Sequence, residues 1–360
     1  MKNIETQKDA LIDRYHKQAL KKLMILFICV SGTVLIFGLL SVTTYNTMSL
    51  KEAYEIIINH IIGHEYPIRT TEWWADFYIW NTAIPRGVVA VIAGASLAAA
   101  GTLMQSLMNN PLADPYSTGI SSGACFGAVA AIIMGISFNV TSSGSTIVFN
   151  AFVGSMIPAA IMIVISKKIE MTPATLILIG TALSYFFNSM VTYMMVTTDA
   201  DTLHSAYLWQ VGTLENVTWD DVPLMFAVTA IGTVFTILMS RQLNIMALGD
   251  ASAKTLGLDV EKFRIICLTV MALMTASIVS YVGIIGFLGL VAPHLVRMVV
   301  GSDNRFVIPI SMSVGAFLLI LADYFAISFG IPVGVVMSVI GSPIFFALIV
   351  FKKKSYGAIY

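Results

Sequence analysis

The sequence predicts an all-α protein, a polytopic transmembrane helical bundle of about ten spans. Two observations carry that expectation. Of 360 residues, 57% are hydrophobic and only 11% are charged, against about 45–50% and 25% in a soluble domain. Apolar runs of about 20 residues, the length that crosses a bilayer, recur along almost the whole chain. Within lipid such runs must be helical, because nothing there can hydrogen-bond an open backbone. A formal net charge of zero gives no reason to expect a nucleic-acid partner, and the placement of the charges is more informative than their sum.

Taken in order, residues 1–22 are polar and basic, with Arg14, Lys17, Lys21 and Lys22 leading into an apolar run from Leu23 to Val42. That run is longer than the apolar region of a signal peptide and no small-residue cleavage site follows it, so a retained first helix is expected. The chain then divides into one transmembrane domain over 23–351, containing an outer segment at 43–81 and a polar segment at 243–264, and a short tail at 352–360. The outer segment is amphipathic and leans acidic, and its Trp73, Trp74 and Trp80 suit a membrane interface. Spans are expected near 84–108, from beyond the Asn109–Pro115 break to Phe138, and over 146–166, 173–196, 222–240, 265–282, 286–299, 307–327 and 332–351. Gly94, Ala95, Ala98 and Gly101 on one helix, and Gly119, Gly123 and Gly127 on the next, form small-residue faces on which backbones can approach closely in lipid, and these faces motivate the expectation of two copies of the chain in one assembly.

Orientation follows from the basic residues, which concentrate in cytoplasmic loops. With the N-terminus inside, only Lys51, Arg69 and Arg86 of the 20 Lys and Arg fall outside; Lys167, Lys168 and Lys352 to Lys354 fall inside. Most acidic residues of the loops, from Glu52 to Asp76 and from Asp199 to Asp221, lie opposite. Both termini and the 243–264 segment are therefore expected in the cytoplasm.

That segment, LNIMALGDASAKTLGLDVEKFR, interleaves Asp250, Lys254, Asp259, Glu261, Lys262 and Arg264 with Leu248, Ala251, Leu256, Leu258 and Phe263. The pattern predicts a short helix from Ala251 to Leu256 capped by Gly257 and a second short helix from Asp259. Such an island in a mostly apolar protein is either a partner's docking element or a plain solvated loop. Its GDASAKTLG string is not a phosphate-binding loop: Ala253 stands where a glycine must precede the lysine, and no strand precedes it.

Other chemistry is sparse. His60 and His64 lie four apart near Glu65, but Gly63 interrupts their helix and no third metal ligand is evident. Cys29, Cys125 and Cys267 are isolated in apolar runs and read as packing residues. No nucleophile and base stand together, so neither catalysis nor a cofactor or metal bound to this chain is expected. Irregularity at membrane depth is more informative. NNPLADPYSTGISSGA (109–124) and GIIGFLGLVAPHLVR (283–297) put Pro, Gly, Asp114 and His294 where helices break. Broken backbone is tolerated there when it lines a cavity or is buried in protein; simple helix punctuation is the other reading.

From Pro85 to the C-terminus, PRGVVAVIAGASLAAAGTLMQSLMNNPLADPYSTGISSGA, ALGDASAKTLG, GFLGLVAPHLVR, LAD and IPVGVVMSVIGSPIFFALI occur in an order and spacing that resemble the FecCD-type permease subunits of ABC importers for iron–siderophore complexes, haem and cobalamin. The first eighty-odd residues match only in kind. The resemblance implies ten helices per subunit and a dimer around a central pathway. It also implies a cytoplasmic ABC ATPase dimer that holds the ATP and Mg, and an external solute-binding protein. It would make Ala247, Leu248, Gly249, Asp250, Ala251, Ala253, Lys254, Leu256 and Gly257 the element seated on the ATPase. Asn110 and Leu112, with Thr172, Pro173 and Ala174, would lie by the cytoplasmic gate, and Arg86 would pair with a carboxylate of the binding protein. Companion arginines common in that family are absent here: Ala83 precedes the PR pair, and LADYFAISFGIPVG has none. The implied mechanism is ATP-driven alternating access. The rival is an ion-coupled transporter using Asp114 or Asp323, and a membrane-embedded enzyme has no constellation to support it.

Overall fold

The computed structural model describes residues 2–44, 48–136, 143–166, 168–169 and 172–356, and of 2–19, 44, 143–145 and 348–356 the backbone alone. The expected end of the third span near Phe138, the charge at Lys167 and the last four residues of the tail lie outside the described residues. Among those described, only helices form. They are α1 (Lys2–Thr44), α2 (Leu50–Ile62), α3 (Thr71–Tyr78), α4 (Ile84–Leu107), α5 (Ile120–Met134), α6 (Ser143–Ser166), α7 (Pro173–Val196), α8 (Ala200–Val211), α9 (Val222–Leu238), α10 (Ser240–Met246), α11 (Asp250–Thr255), α12 (Val260–Val282), α13 (Leu288–Val300), α14 (Asn304–Phe329) and α15 (Val333–Tyr356). Seven helices are long and apolar enough to cross a membrane unaided, and α5, α13 and α15 carry shorter apolar stretches. Together these coincide with the ten runs read from the sequence.

Helix ends follow local chemistry. Ser49 and Glu52 form a reciprocal capping box on α2, and Gly63 closes that helix at φ 84°. Pro173 follows the capping Thr172 of α7, whose hydroxyl accepts from Thr175 N; the ring's fixed φ and missing N–H fit a first-turn position. Asp259 caps α12 by accepting from Lys262 N.

Several boundaries differ from expectation. The basic N-terminal stretch is not separate from the first span but continuous with it in α1. α3 runs through a π-helical stretch, Ile79–Ala83, into α4, so Thr71–Leu107 is one helix of 37 residues. The sixth run breaks at Met239 into α9 and α10. The second short helix expected from Asp259 is the first turn of α12, because Val260 and Phe263 are buried and carry the helix directly into the span.

α4 is the central post, packed against α14, α12, α13 and α9, while α5 packs on α6 and α7. The small residues decide these contacts. A Cβ on Gly94 would fall 2.4 Å from Gly315 O, one on Gly101 1.8 Å from Gly289 O, and one on Gly127 2.0 Å from Asn150 O. The small-residue faces are thus occupied by helices of the same chain, which removes them as a basis for expecting a dimer. A second set of glycines joins α8, α12 and α15 at the opposite end from the polar island. Gly212 O accepts from Gly334 N at 3.1 Å, and a Cβ on Gly283 would lie 2.2 Å from Trp209 O.

Replacing Gly101 by Ala should overpack the α4–α13 contact and cost on the order of 1–3 kcal/mol, lowering the melting temperature in detergent. Gly286→Ala, where a Cβ would meet nothing within 4 Å, should melt like the parent. Equal melting of both variants would contradict the packing described.

Candidate functional site

The polar island is a small rigid knuckle. Gly249 at φ 92° and Gly257 at φ 86° bracket α11, backbone conformations that favour residues without a Cβ. Ala253 is 0% exposed and packs with Val260 and Phe263 in the chain's own core. Arg264, buried on the second turn of α12, reaches back to Asp250, Nη2 donating to Oδ1 at 2.6 Å. Lys254 Nζ meets Glu261 Oε1 at 3.3 Å and Lys262 meets Asp259 at 2.9 Å, all largely exposed; such pairs contribute little. The Lys262 ammonium, which donates to Asp259, holds that carboxyl below its ordinary value. Outward, the knuckle presents Leu248, 61% exposed, and Leu256, 60% exposed, with Ala251, Ser252, Lys254 and Thr255 also exposed and Ala247 and Asp250 half-buried. Two leucines are thus exposed on an otherwise polar knuckle. Of the segment's expected contact residues, Ala253 alone faces wholly inward, and this corrects its assignment to a partner's groove.

The expected gate residues organise their own turns. Asn110 Oδ1 accepts from Leu112 N at 3.0 Å and leaves the Leu112 side chain exposed. Thr172 caps α7 with Pro173 at its first position, while Ala174 is exposed. α7 meets the α4–α5 break through Gly180, where a Cβ would lie 2.1 Å from Ser117 O, rather than through Thr172. The two breaks are tied together: Tyr116 OH donates to Ile285 O at 3.1 Å, and Phe287, a non-glycine at φ 66°, opens α13. Such a residue sits in the left-handed region at a cost.

The carboxylates offered for ion coupling both have internal roles. Asp114 accepts from Tyr116 N at 3.1 Å and so caps the short 3-10 turn Pro115–Thr118. Asp323 is 0% exposed and binds the Arg86 guanidinium through Nε at 2.8 Å and Nη2 at 2.8 Å. Arg86 is itself only 14% exposed. It is consumed within the chain, which corrects the expectation that it meets a partner's carboxylate. Sequence reading missed this because the two residues are 237 positions apart. His60 and His64 also separate: His60 Nδ1 meets Asp76 Oδ1 at 2.7 Å and its ring stacks on Trp80, while His64 edges onto Tyr66.

A third polar cluster was not anticipated. Arg297, at the end of α13, donates to Gln105 Oε1 at 3.3 Å, Ser106 Oγ at 2.9 Å, Asn304 Oδ1 at 3.0 Å and Ser302 O at 3.3 Å. Asn244 on α10 joins the same region, accepting from Asn304 N and donating to Asp303 Oδ1, each at 2.8 Å. The fork of Arg305 on Asp303, helped by Asn244, holds the Asp303 carboxyl well below the usual carboxylate range. A lowered carboxyl stabilises above its unfolded value and loses that contribution only as pH falls through the folded one, so this contact stays ionised throughout pH 5–8.

Residues 24–351 match the FecCD transport family. The chain belongs to that family. The Fe(3+)-citrate import system permease of Bacillus subtilis (strain 168) is 31% identical over 338 residues, covering 93% of this chain and 97% of that one. The cobalamin import system permease of Halobacterium salinarum is 36% identical, covering 76% and 74%, and the hemin transport system permease of Yersinia pestis 34%, covering 78% and 85%. A solved structure described as an inward-facing metal-chelate type ABC transporter superposes with TM-score 0.76 at 26% identity, covering 91% of this chain and 98% of that one. This FecCD chain is therefore a multi-pass membrane protein and a permease subunit of the metal-chelate ABC importer family, as its motifs led one to expect.

Arg86→Ala leaves a buried carboxylate unpaired and should destabilise the detergent-solubilised protein by about 3–5 kcal/mol. Replacing both partners, Arg86→Met with Asp323→Leu, should recover most of that loss. Chemical denaturation of the two variants and the parent checks both statements, and a double variant no more stable than Arg86→Ala would contradict the pairing.

Proposed function

We propose that two copies of this chain form the membrane pathway of a binding-protein-dependent importer for a bulky metal chelate of the iron–siderophore, haem or cobalamin class. On this reading a cytoplasmic ABC ATPase dimer carries ATP and Mg, seats on the polar island and drives alternating access. Both termini then lie in the cytoplasm with the island. The observation that carries the proposal is the knuckle itself: α11 is fixed from behind by Ala253 and Arg264, and an exposed leucine flanks it at either end, Leu248 before it and Leu256 after it. An element meant to transmit force must be stiff toward its own body and apolar toward its partner. The substrate class follows from the relatives, which are permeases for ferric citrate, cobalamin and hemin.

A different feature supports the second copy. Thr181, Tyr185, Asn188, Ser189 and Thr192 of α7 are all exposed and recur at the spacing of one helical face. Ser189 and Thr192 are satisfied by carbonyls of their own helix, but the Asn188 amide and the Tyr185 hydroxyl turned to hydrocarbon would be costly, so this face suits a water-filled pathway closed by another subunit. The ion-coupled alternative is weaker, since Asp114 and Asp323 already serve a cap and a buried ion pair. With Arg86 withdrawn, the external binding protein would meet an outer surface whose exposed charges include Glu65, Glu72, Asp201, Glu215 and Asp220.

Leu248→Asp combined with Leu256→Asp should weaken association with the ATPase by at least about 30-fold, the effect of losing about 2 kcal/mol from an interface. Lys254→Ala should stay within a few-fold of the parent, because Lys254 is engaged by Glu261. Quantitative co-purification of the ATPase measures this, and an undiminished complex in the double variant would overturn the role given to the island. Cysteine placed at Asn188 should react with a membrane-impermeant thiol reagent and block uptake, whereas Cys29, Cys125 and Cys267 are buried. Failure of that cysteine to label would remove α7 from the pathway.

A further inference from the structure

Arg297 is a mostly buried guanidinium whose hydrogen-bonded acceptors are all neutral: the side chains of Gln105, Ser106 and Asn304, with the carbonyls of Thr102 and Ser302. Taking such a group out of water is costly unless its donors are satisfied, and a fork with five rigid donors satisfies itself here only by holding several segments in register. Those segments are the last turn of α4, the turn between α13 and α14, and the start of α14. Asn244 adds a fourth. Its amide clamps α10 to that same turn with two hydrogen bonds, accepting from Asn304 N and donating to Asp303. α10 leads through Ala247 and Leu248 directly into α11. At the other side of Arg297, Gln105 O accepts from Asn110 N at 3.1 Å and Ser106 O from Asn109 N at 3.4 Å, and these residues open the break that presents Leu112.

We propose that the chain of contacts from Asn244 through Asp303 and Asn304 to Arg297 and then Gln105 and Ser106 is the joint that carries displacement of the island to the Asn109–Leu112 break of α4. Asn244 and Arg297 are thus positioning residues for transport, acting through other groups and touching neither solute nor nucleotide. This rests on the coupling role proposed for the island. The alternative route, along α12 alone, leaves α4 without a polar link to the element that the ATPase would move. Shared hydrogen bonds between discrete segments are the kind of connection that can transmit a rigid-body shift, but only a measured coupling establishes it.

The test uses the full permease with its ATPase in lipid nanodiscs and Mg-ATP as the probe. Thr255→Cys on the exposed side of α11 reports assembly, by protection from a maleimide when the ATPase is bound. Leu112→Cys reports the break, by a labelling rate that changes with Mg-ATP. In the Asn244→Asp background the new carboxylate repels Asp303, so the Mg-ATP response at position 112 should fall at least about fivefold while protection at 255 persists. Adding Asp303→Asn restores a donor opposite the acid and should restore the response. A purely structural defect would lose both readouts together. Should Asn244→Asp fail to accumulate, Arg297→Lys, which keeps the charge but not the fork, carries the same expectations. An undiminished response at 112 in either variant, or no recovery in the swapped pair while 255 stays protected, overturns the joint. Absence of protection at 255 in the parent would instead overturn the island's coupling role, and the joint with it.

Discussion

Backbone contact between α4 and α14 sets the register on which the buried pair of Arg86 and Asp323 depends. Lipid tails are as apolar as leucine, so burial supplies no drive for two helices to pack within a bilayer, and close van der Waals approach must do so. Gly94 and Gly315 permit that approach, each lying where a Cβ would strike the other's carbonyl. The two helices run antiparallel. Arg86 precedes Gly94 by two turns on α4, and Asp323 follows Gly315 by two turns on α14. Eight residues carry each helix about 12 Å along and about 80° round, still within the width of a packing face, so the glycine contact brings guanidinium and carboxylate to the same height and within reach of the long arginine side chain. A larger residue at either glycine would move the helices apart and separate the ion pair, leaving Asp323 charged in the core.

Burial then decides which charges matter. The exposed pairs around the island, Lys254 with Glu261 and Lys262 with Asp259, are screened and weak. Asp250 with Arg264 is different, because the arginine is buried and cannot be left without its partner except at substantial cost. α11 is therefore aimed by an arginine beneath it and by Ala253 in the core, and the visible charges beside it are bystanders. The same distinction separates Arg297, which stitches three segments together, from Arg305, which stays on the surface beside its own helix cap.

The helices themselves were legible because a membrane span needs only length, apolarity and the absence of charge. The breaks were legible because Pro111, Pro115 and the glycines of 283–289 punctuate otherwise continuous runs. What the sequence withheld was pairing. A stripe of glycines announces that some backbone will come close, but Gly101 gives no sign that its neighbour is Gly289 rather than a second subunit, and the dimer inferred from such stripes lost that support. Arg86 looked like a rim charge because the resemblance assigned it to the binding protein and the span boundaries put it at the outer end of its helix, while its partner Asp323 lies 237 positions away. Asp259 was read as starting a separate helix because Glu261, Lys262 and Arg264 are polar, although Val260 and Phe263 already face the core and Arg264 turns inward to Asp250. Asn244 and Asn304 carried no signal, and Arg297 stood out only as the last residue of GFLGLVAPHLVR, since an amide or an arginine near a helix end is ordinarily a solvated cap.

The geometry around the island bears on how one motion could serve two gates. α11 is tied to α12 by Arg264, and α12 is a single unbroken helix of 23 residues, about 35 Å long at 1.5 Å per residue. Its far end is Gly283, which sits in the glycine junction with Gly212 of the α8 terminus and Gly334 of α15. The island's other attachment, α10, is clamped to the α13–α14 turn and so to the end of α4. A tilt imposed at α11 therefore has a stiff lever to the opposite end of the bundle and a short polar linkage at its own end. Packed glycine backbones leave little room for compression at the far junction. Under the alternating-access reading, opening one end and closing the other become two consequences of the same rigid displacement, with no flexible element needed between them.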